Sequence, residues 1–180
     1  MMRKQAAAIV AELTGTRTLT VENNIIPKLQ AAGILPGIRG GDGEVDAAYR
    51  VNLLIGVAVD RAYGVTPADA VRHWRALPFV QTDDAWSLVD NLKINVRNAG
   101  AALDWLVDSL LKIRLTPIAE AKFGRPKFTV EFCDNDHMNI IISGERGRTA
   151  AVLRFGLPDS KLISRTIRVE HAAFERLAAE

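Results

Sequence analysis

The chain is short of several things at once, and each shortage removes a class of function. Its 180 residues include one cysteine, Cys133. An internal disulfide and a thiolate metal cluster are therefore excluded, which suits a reducing cytosol. Histidine occurs three times, as His73, His137 and His171, widely separated and in different expected elements. The sequence holds no HExxH, no GxSxG, no Walker-type GxxxxGK[ST] and no GxGxxG. Aromatic residues make up only 6%, so the core must be aliphatic. No apolar run approaches the roughly 20 residues of a spanning helix, so no membrane partner is expected. The first residues, MMRKQAAAIVAELTG, are basic and then amphipathic, with Glu12 interrupting the apolar part; this does not read as a signal peptide.

What is present suits one compact chain of ordinary size: 48% hydrophobic and 24% charged residues, with a net charge of +2. The composition is not that of a disordered protein. The mildly basic pI, about 8.8, permits a nucleic-acid partner without demanding one.

Periodicity divides the chain into helices first and strands later. Residues 3–13 read as a helix with Ala7, Ile9, Val10 and Leu13 on one side, ended by Gly15. A second helix starts at Thr20 or within 22–24, with Val21, Ile25, Leu29 and Ala32 as its apolar stripe. Pro27 conflicts with it, because an interior proline costs about 3 kcal/mol. Either the helix begins nearer Asn24 or it is kinked. Gly33 stops it and Pro36 forbids its continuation. A long helix over 45–63 follows, and its Gly56 signals close packing against another helix. Thr66-Pro67-Ala68-Asp69 is a helix start. Residues 82–92 and 100–111 read as further helical pieces.

From about residue 122 the texture changes. KFTVEF (127–132), MNIIIS (138–143), TAAVLRF (149–155) and LISRTIRV (162–169) read as strands, and HAAFERLAA (171–179) as a short helix. The expected fold is α+β, helices followed by a three- or four-stranded antiparallel unit and a short C-terminal helix. The expected division is 1–78 as a DNA-binding domain, 79–116 as a helical connector and 117–180 as an α+β oligomerisation or interaction unit.

Candidate chemistry is thin. Cys133 and His137 frame a turn with Asp134 and Asp136; a polar hairpin tip explains them better than a nucleophile pair or a metal site, because a turn tip does not exclude water. Asp83 and Asp84 read as caps. No catalytic residue, metal or cofactor is expected. The segment that stands out is 18–44. Its centre, LQAAGILP (29–36), is a helix end and a stop, and GIRGGDG (37–43) is a loop too rich in glycine to pack, carrying Arg39.

AAAIVAELTG, VENNIIPKLQAAGILP and GIRGGDGE together resemble the first helix, recognition helix and wing of the winged helix-turn-helix in MerR-like regulators and related phage and prophage DNA-binding proteins. VDAAYRVNLLIGVAV takes the place of the helix behind them, so the resemblance covers residues 3–60. It implies sequence-specific binding of double-stranded DNA by a cytoplasmic transcriptional regulator. Thr18, Thr20, Asn23, Asn24 and Lys28 would face the groove, and Arg17 and Arg39 would anchor the backbone on either side. A small module of this kind needs a partner subunit, so a homo-oligomer is expected, a dimer first, with KFTVEF or TAAVLRF pairing at a sheet edge. Two other tasks remain open: a small-terminase-like DNA-packaging subunit, and an interaction or virion-assembly protein that does not bind DNA.

Overall fold

A computed structural model describes residues 1–37, 42–63, 65–84, 88–113, 124–133, 136–144, 147–157 and 166–179, with the side chains of 59–63, 84 and 88 left aside. The fold is α+β. Helix α1 is Arg3–Leu13. Helix α2 runs over 18–31 as Thr18–Thr20, a π-helical segment Val21–Ile25, and Ile26–Ala31. Helices α3, Ala47–Tyr63, and α4, Pro67–Ala76, follow. Then come strand β1, Phe79–Asp84, the short α5, Leu88–Asn91, and α6, Ala99–Ser109, which tightens into a 3-10 turn at Leu110–Lys112. Strands β2, Lys127–Cys133, β3, His137–Ser143, β4, Thr149–Phe155, and β5, Thr166–Val169, precede helix α7, His171–Ala178.

The five strands form one antiparallel sheet in the order β1-β4-β3-β2-β5. Alternation in the sequence gives it two unlike faces. Phe128, Val130, Phe132, Met138, Ile140, Ile142, Leu153 and Phe155 are buried on one of them. Trp74 of α4 meets Phe132 edge to face with ring centroids 5.4 Å apart, and Trp105 of α6 meets Phe128 at 6.4 Å. The other face carries Thr129, Glu131, Asn139 and Arg154, with Arg168 paired to Glu131 and Arg154 to Asp83. Two of the expected edge strands are therefore interior: KFTVEF lies between β3 and β5, and TAAVLRF between β1 and β3. The sheet's outer strands are β1 and β5.

Strand β1 is the main departure from the sequence reading, which placed a helix over 82–92. Thr82 and the two aspartates look like a helix cap, but β4 offers an open edge, and Phe79 through Asp84 takes its hydrogen bonds from Phe155 through Ala151 instead. Among the described residues the sheet thus has five strands rather than three or four, and the stretch expected as a helical connector opens inside it. The second expected boundary, at 116/117, lies outside the described residues. Buried side chains from Ala6 to Ala178 belong to one continuous core.

Helix α3 runs through that core. Residues 49–57 are all buried, so its sequence is apolar around nearly the whole circumference. Asp46 caps it, its Oδ1 accepting from the Tyr49 N–H at 2.7 Å. Gly56 gives the close approach that the sequence suggested: a Cβ there would stand 3.1 Å from Leu29 Cδ1 of α2.

Candidate nucleic-acid interface

Helix α2 is held to α1 by a turn of four residues. Gly15, at φ +64°, takes the left-handed conformation that ends α1. The Gly15 N–H donates to Glu12 O and the Thr16 N–H to Ala11 O, at 3.2 and 2.8 Å. Thr14 Oγ1 donates back to Val10 O at 2.8 Å and lies 2.9 Å from Thr16 Oγ1. Thr14 and Thr16 therefore close the turn.

The conflict at Pro27 is not resolved by a late start. The helix begins at Thr18 and widens over Val21–Ile25, where the Ile26 N–H donates to Val21 O, five residues back. Pro27 has no N–H to give to residue 23, and the widened turn directly ahead of it accommodates that loss. The C-terminus repeats the ending of α1: Gly33, at φ +70°, donates to Gln30 O, and the Ile34 N–H to Leu29 O. Arg72 of α4 donates to Ala32 O at 2.9 Å and Asn52 of α3 to Ile34 O at 3.3 Å, filling carbonyls that a helix end leaves open.

The two sides of α2 differ sharply. Val21, Ile25, Ile26 and Leu29 are buried. Thr18, Asn23, Asn24 and Lys28 are exposed, Thr20 is half-buried, and Arg17 stands exposed just ahead of the helix. Six of the seven residues expected to touch DNA thus lie on or beside the outward side of one element; the seventh, Arg39, lies outside the described residues. Leu19, 69% exposed, stands among them and was not expected there. Among the described residues, the side chains of Arg17 and Lys28 make no ion pair. Arg75, Arg154 and Arg176, by contrast, are held by Asp104, Asp83 and Glu12.

The glycine loop has a base that the sequence did not show. Its return arm runs beside the start of the chain. Asp42 Oδ1 accepts from the Lys4 N–H at 2.9 Å, and Gly43 O accepts from the Arg3 N–H at 2.9 Å. Met2 and Glu44 form an isolated antiparallel bridge. These contacts fill first-turn amides of α1 that have no partner inside the helix. They also bring Arg3 and exposed Lys4 beside the loop. No sequence signal linked the two segments, because the pairing spans nearly 40 residues and is made by backbone.

The other candidates stay dispersed. Cys133 is buried at the end of β2, opposite His137 in the β2–β3 register. His73 Nε2 lies 3.3 Å from Asp136 Oδ1. His171 Nδ1 accepts from the Phe128 N–H at 3.2 Å, and its Nε2 faces Glu175. Among the described residues no group of three metal-ligating side chains gathers, and no helix is long and apolar enough to cross a membrane. The chain matches no protein-family model, and comparison with curated proteins and with solved structures finds no significant match.

Proposed function

We propose that this chain binds double-stranded DNA in a sequence-specific way, with α1 and α2 as a helix-turn-helix and the 37–44 loop as a short wing. The observation that supports it most is the outward side of α2. It carries amide, hydroxyl and ammonium groups on a helix whose opposite side is anchored in the core. A helix of this length, about 21 Å, fits a major groove about 12 Å wide. Asn23 and Asn24 have the donor–acceptor pair that reads adenine, while Thr18, Thr20, Arg17 and Lys28 suit phosphates. Lys4 stands beside the base of the 37–44 loop, and the sequence puts Arg39 in that loop, a second source of phosphate contacts in this reading. The rigid C-terminal end of α2, tied to α3 and α4, keeps that side at a fixed angle to the rest of the molecule.

In this reading the protein is a transcriptional regulator of phage or prophage type, acting in the cytosol as a homodimer that presents two copies of α2 to two half-sites. Among the described residues the outer strands are β1 and β5, and in this reading one of them pairs across the two-fold. The test is selection of bound duplexes from a random-sequence pool, followed by affinity measurement across salt. Enrichment of one motif is expected, with log K falling against log salt by about 0.9 per phosphate neutralised. Absence of duplex binding at low salt would remove the reading. A ring of many subunits would move it from regulator to packaging subunit.

A further inference from the structure

Arg50, in the first turns of α3, is only 8% exposed. Its Nε donates to Asp46 O at 3.1 Å, and Nη1 donates to Leu177 O of α7. Its Nη2 has no acceptor at hydrogen-bond distance among the described residues; Asp108 Oδ1 stands 4.0 Å away on a side chain that is 65% exposed. Nη2 is not sealed in the core: it is not among the buried polar atoms that lack a partner, and it opens toward solvent, where a bound anion can accept from it. The same side chain borders a cavity of about 700 Å³ between the start of the chain, α3, the end of α6 and the end of α7. Met2, Val107, Leu111 and Ala178 give this cavity apolar wall, and Lys112 adds a second cation. Met2 and Leu111, 38% and 45% exposed, are among the large apolar side chains left open to solvent.

We propose that this cavity is a binding site for a small organic carboxylate with an apolar tail. The carboxylate accepts from Arg50 Nη2, with Lys112 as a second cation, and the tail lies against Met2, Val107 and Leu111. Open guanidinium donors specify an anion. Asp108 and Glu44, which also border the cavity, oppose a dianion such as phosphate more strongly than a monoanion. The apolar wall asks for a hydrocarbon portion, which inorganic anions lack. The site uses none of the α2 residues, but it adjoins the base of the proposed wing through Glu44 and Met2.

The test is titration of the full chain with octanoate, followed by calorimetry or amide NMR shifts. Octanol serves as the neutral analogue and inorganic phosphate as a competitor. Saturable 1:1 octanoate binding is expected, with octanol about tenfold weaker or worse and phosphate unable to displace octanoate. Arg50→Lys and Leu111→Glu should each weaken octanoate about tenfold, the loss expected from one charged hydrogen bond or from a charge in the tail's place. Leu111 is half-exposed, so Leu111→Glu decides the matter even if Arg50→Lys does not fold. No saturation, equal binding of octanol, displacement by phosphate, or unchanged affinity in Leu111→Glu would each overturn the proposal.

Discussion

Leu29 of α2 lies where the side chain of residue 56 of α3 would be, its Cδ1 3.1 Å and its Cδ2 3.5 Å from an ideal Cβ on Gly56. Leu29 is fully buried, so it has little room to give way. Gly56→Ala would gain about 1 kcal/mol of helix propensity and lose it to this crowding. Gly56→Val adds two methyls that cannot fit, and should destabilise the protein by about 1–3 kcal/mol. Urea unfolding measures the loss. Faster amide exchange in α2 than in the sheet should accompany it, because α2 rests on this contact.

Gly156 makes a stricter demand. It sits at φ +73°, its N–H donates to Pro78 O at 2.8 Å, and a Cβ would stand 2.2 Å from Asp136 O. The obstacle is backbone, which cannot swing aside. Gly156→Ala combines a left-handed side-chain penalty of about 1–2 kcal/mol with overpacking of about 1–3 kcal/mol. A fall in stability of roughly 2–5 kcal/mol is expected on the same terms. A melting temperature equal to that of the parent would show that the 136 and 156 backbones do not meet in this way.

Burial holds the His171 imidazole below its ordinary value of 6.5, and Arg125 and Lys127 push the same way, while Glu175 pulls against them. The geometry agrees: Nδ1 already accepts from the Phe128 N–H, so a second ring proton would face a donor. The folded pKa being lower, the unfolded chain takes up the proton first. Stability from this group is complete above about pH 6.5, declines as pH falls below it, and levels off beneath the folded value. Urea midpoints should therefore drop between pH 7.5 and about 5, above the range where carboxylates titrate. His171→Gln should flatten that slope, and an unchanged slope would place the effect elsewhere.

The outward side of α2 can be separated from stability. Asn24 and Lys28 are exposed and make no hydrogen bond or ion pair through their side chains among the described residues. The double variant Asn24→Ala with Lys28→Ala should keep its stability within about 0.5 kcal/mol. DNA affinity should fall about tenfold or more, as for the loss of a base contact and a phosphate contact together. Equal affinity in the variant would move the DNA contact off α2.

Several elements were legible because the physics that makes them is local. Gly15 and Gly33 end α1 and α2 with the same left-handed turn and the same pair of backbone bonds, and both endings can be read from glycine after an apolar stripe. Thr66 caps α4, accepting from the Asp69 N–H, as its spacing indicates. The alternation of KFTVEF puts Phe128, Val130 and Phe132 on one face, and all three are buried. The outward residues of α2 were legible for the same reason, since a helix with one apolar stripe must turn the other side to water.

The amino-acid sequence by itself determined the C-terminal ends of α1 and α2, the start of α4, the alternation of β2, the need for glycine at 56 and the polar side of α2. Each depends on residues within one or two turns, or on side-chain volume alone. Only the tertiary structure decided that Phe79–Asp84 is a strand, that KFTVEF and TAAVLRF are interior, and that α2 passes Pro27 by widening. It alone placed Lys4 beside the glycine loop and left Arg50 facing a cavity with open donors. In each of these the deciding partner lies far along the chain or is backbone: β4 supplies hydrogen bonds to a segment with capping residues, and Leu177 O binds a guanidinium 127 positions away. Local propensity carries no information about such partners, because their contribution exists only once the chain has brought them together.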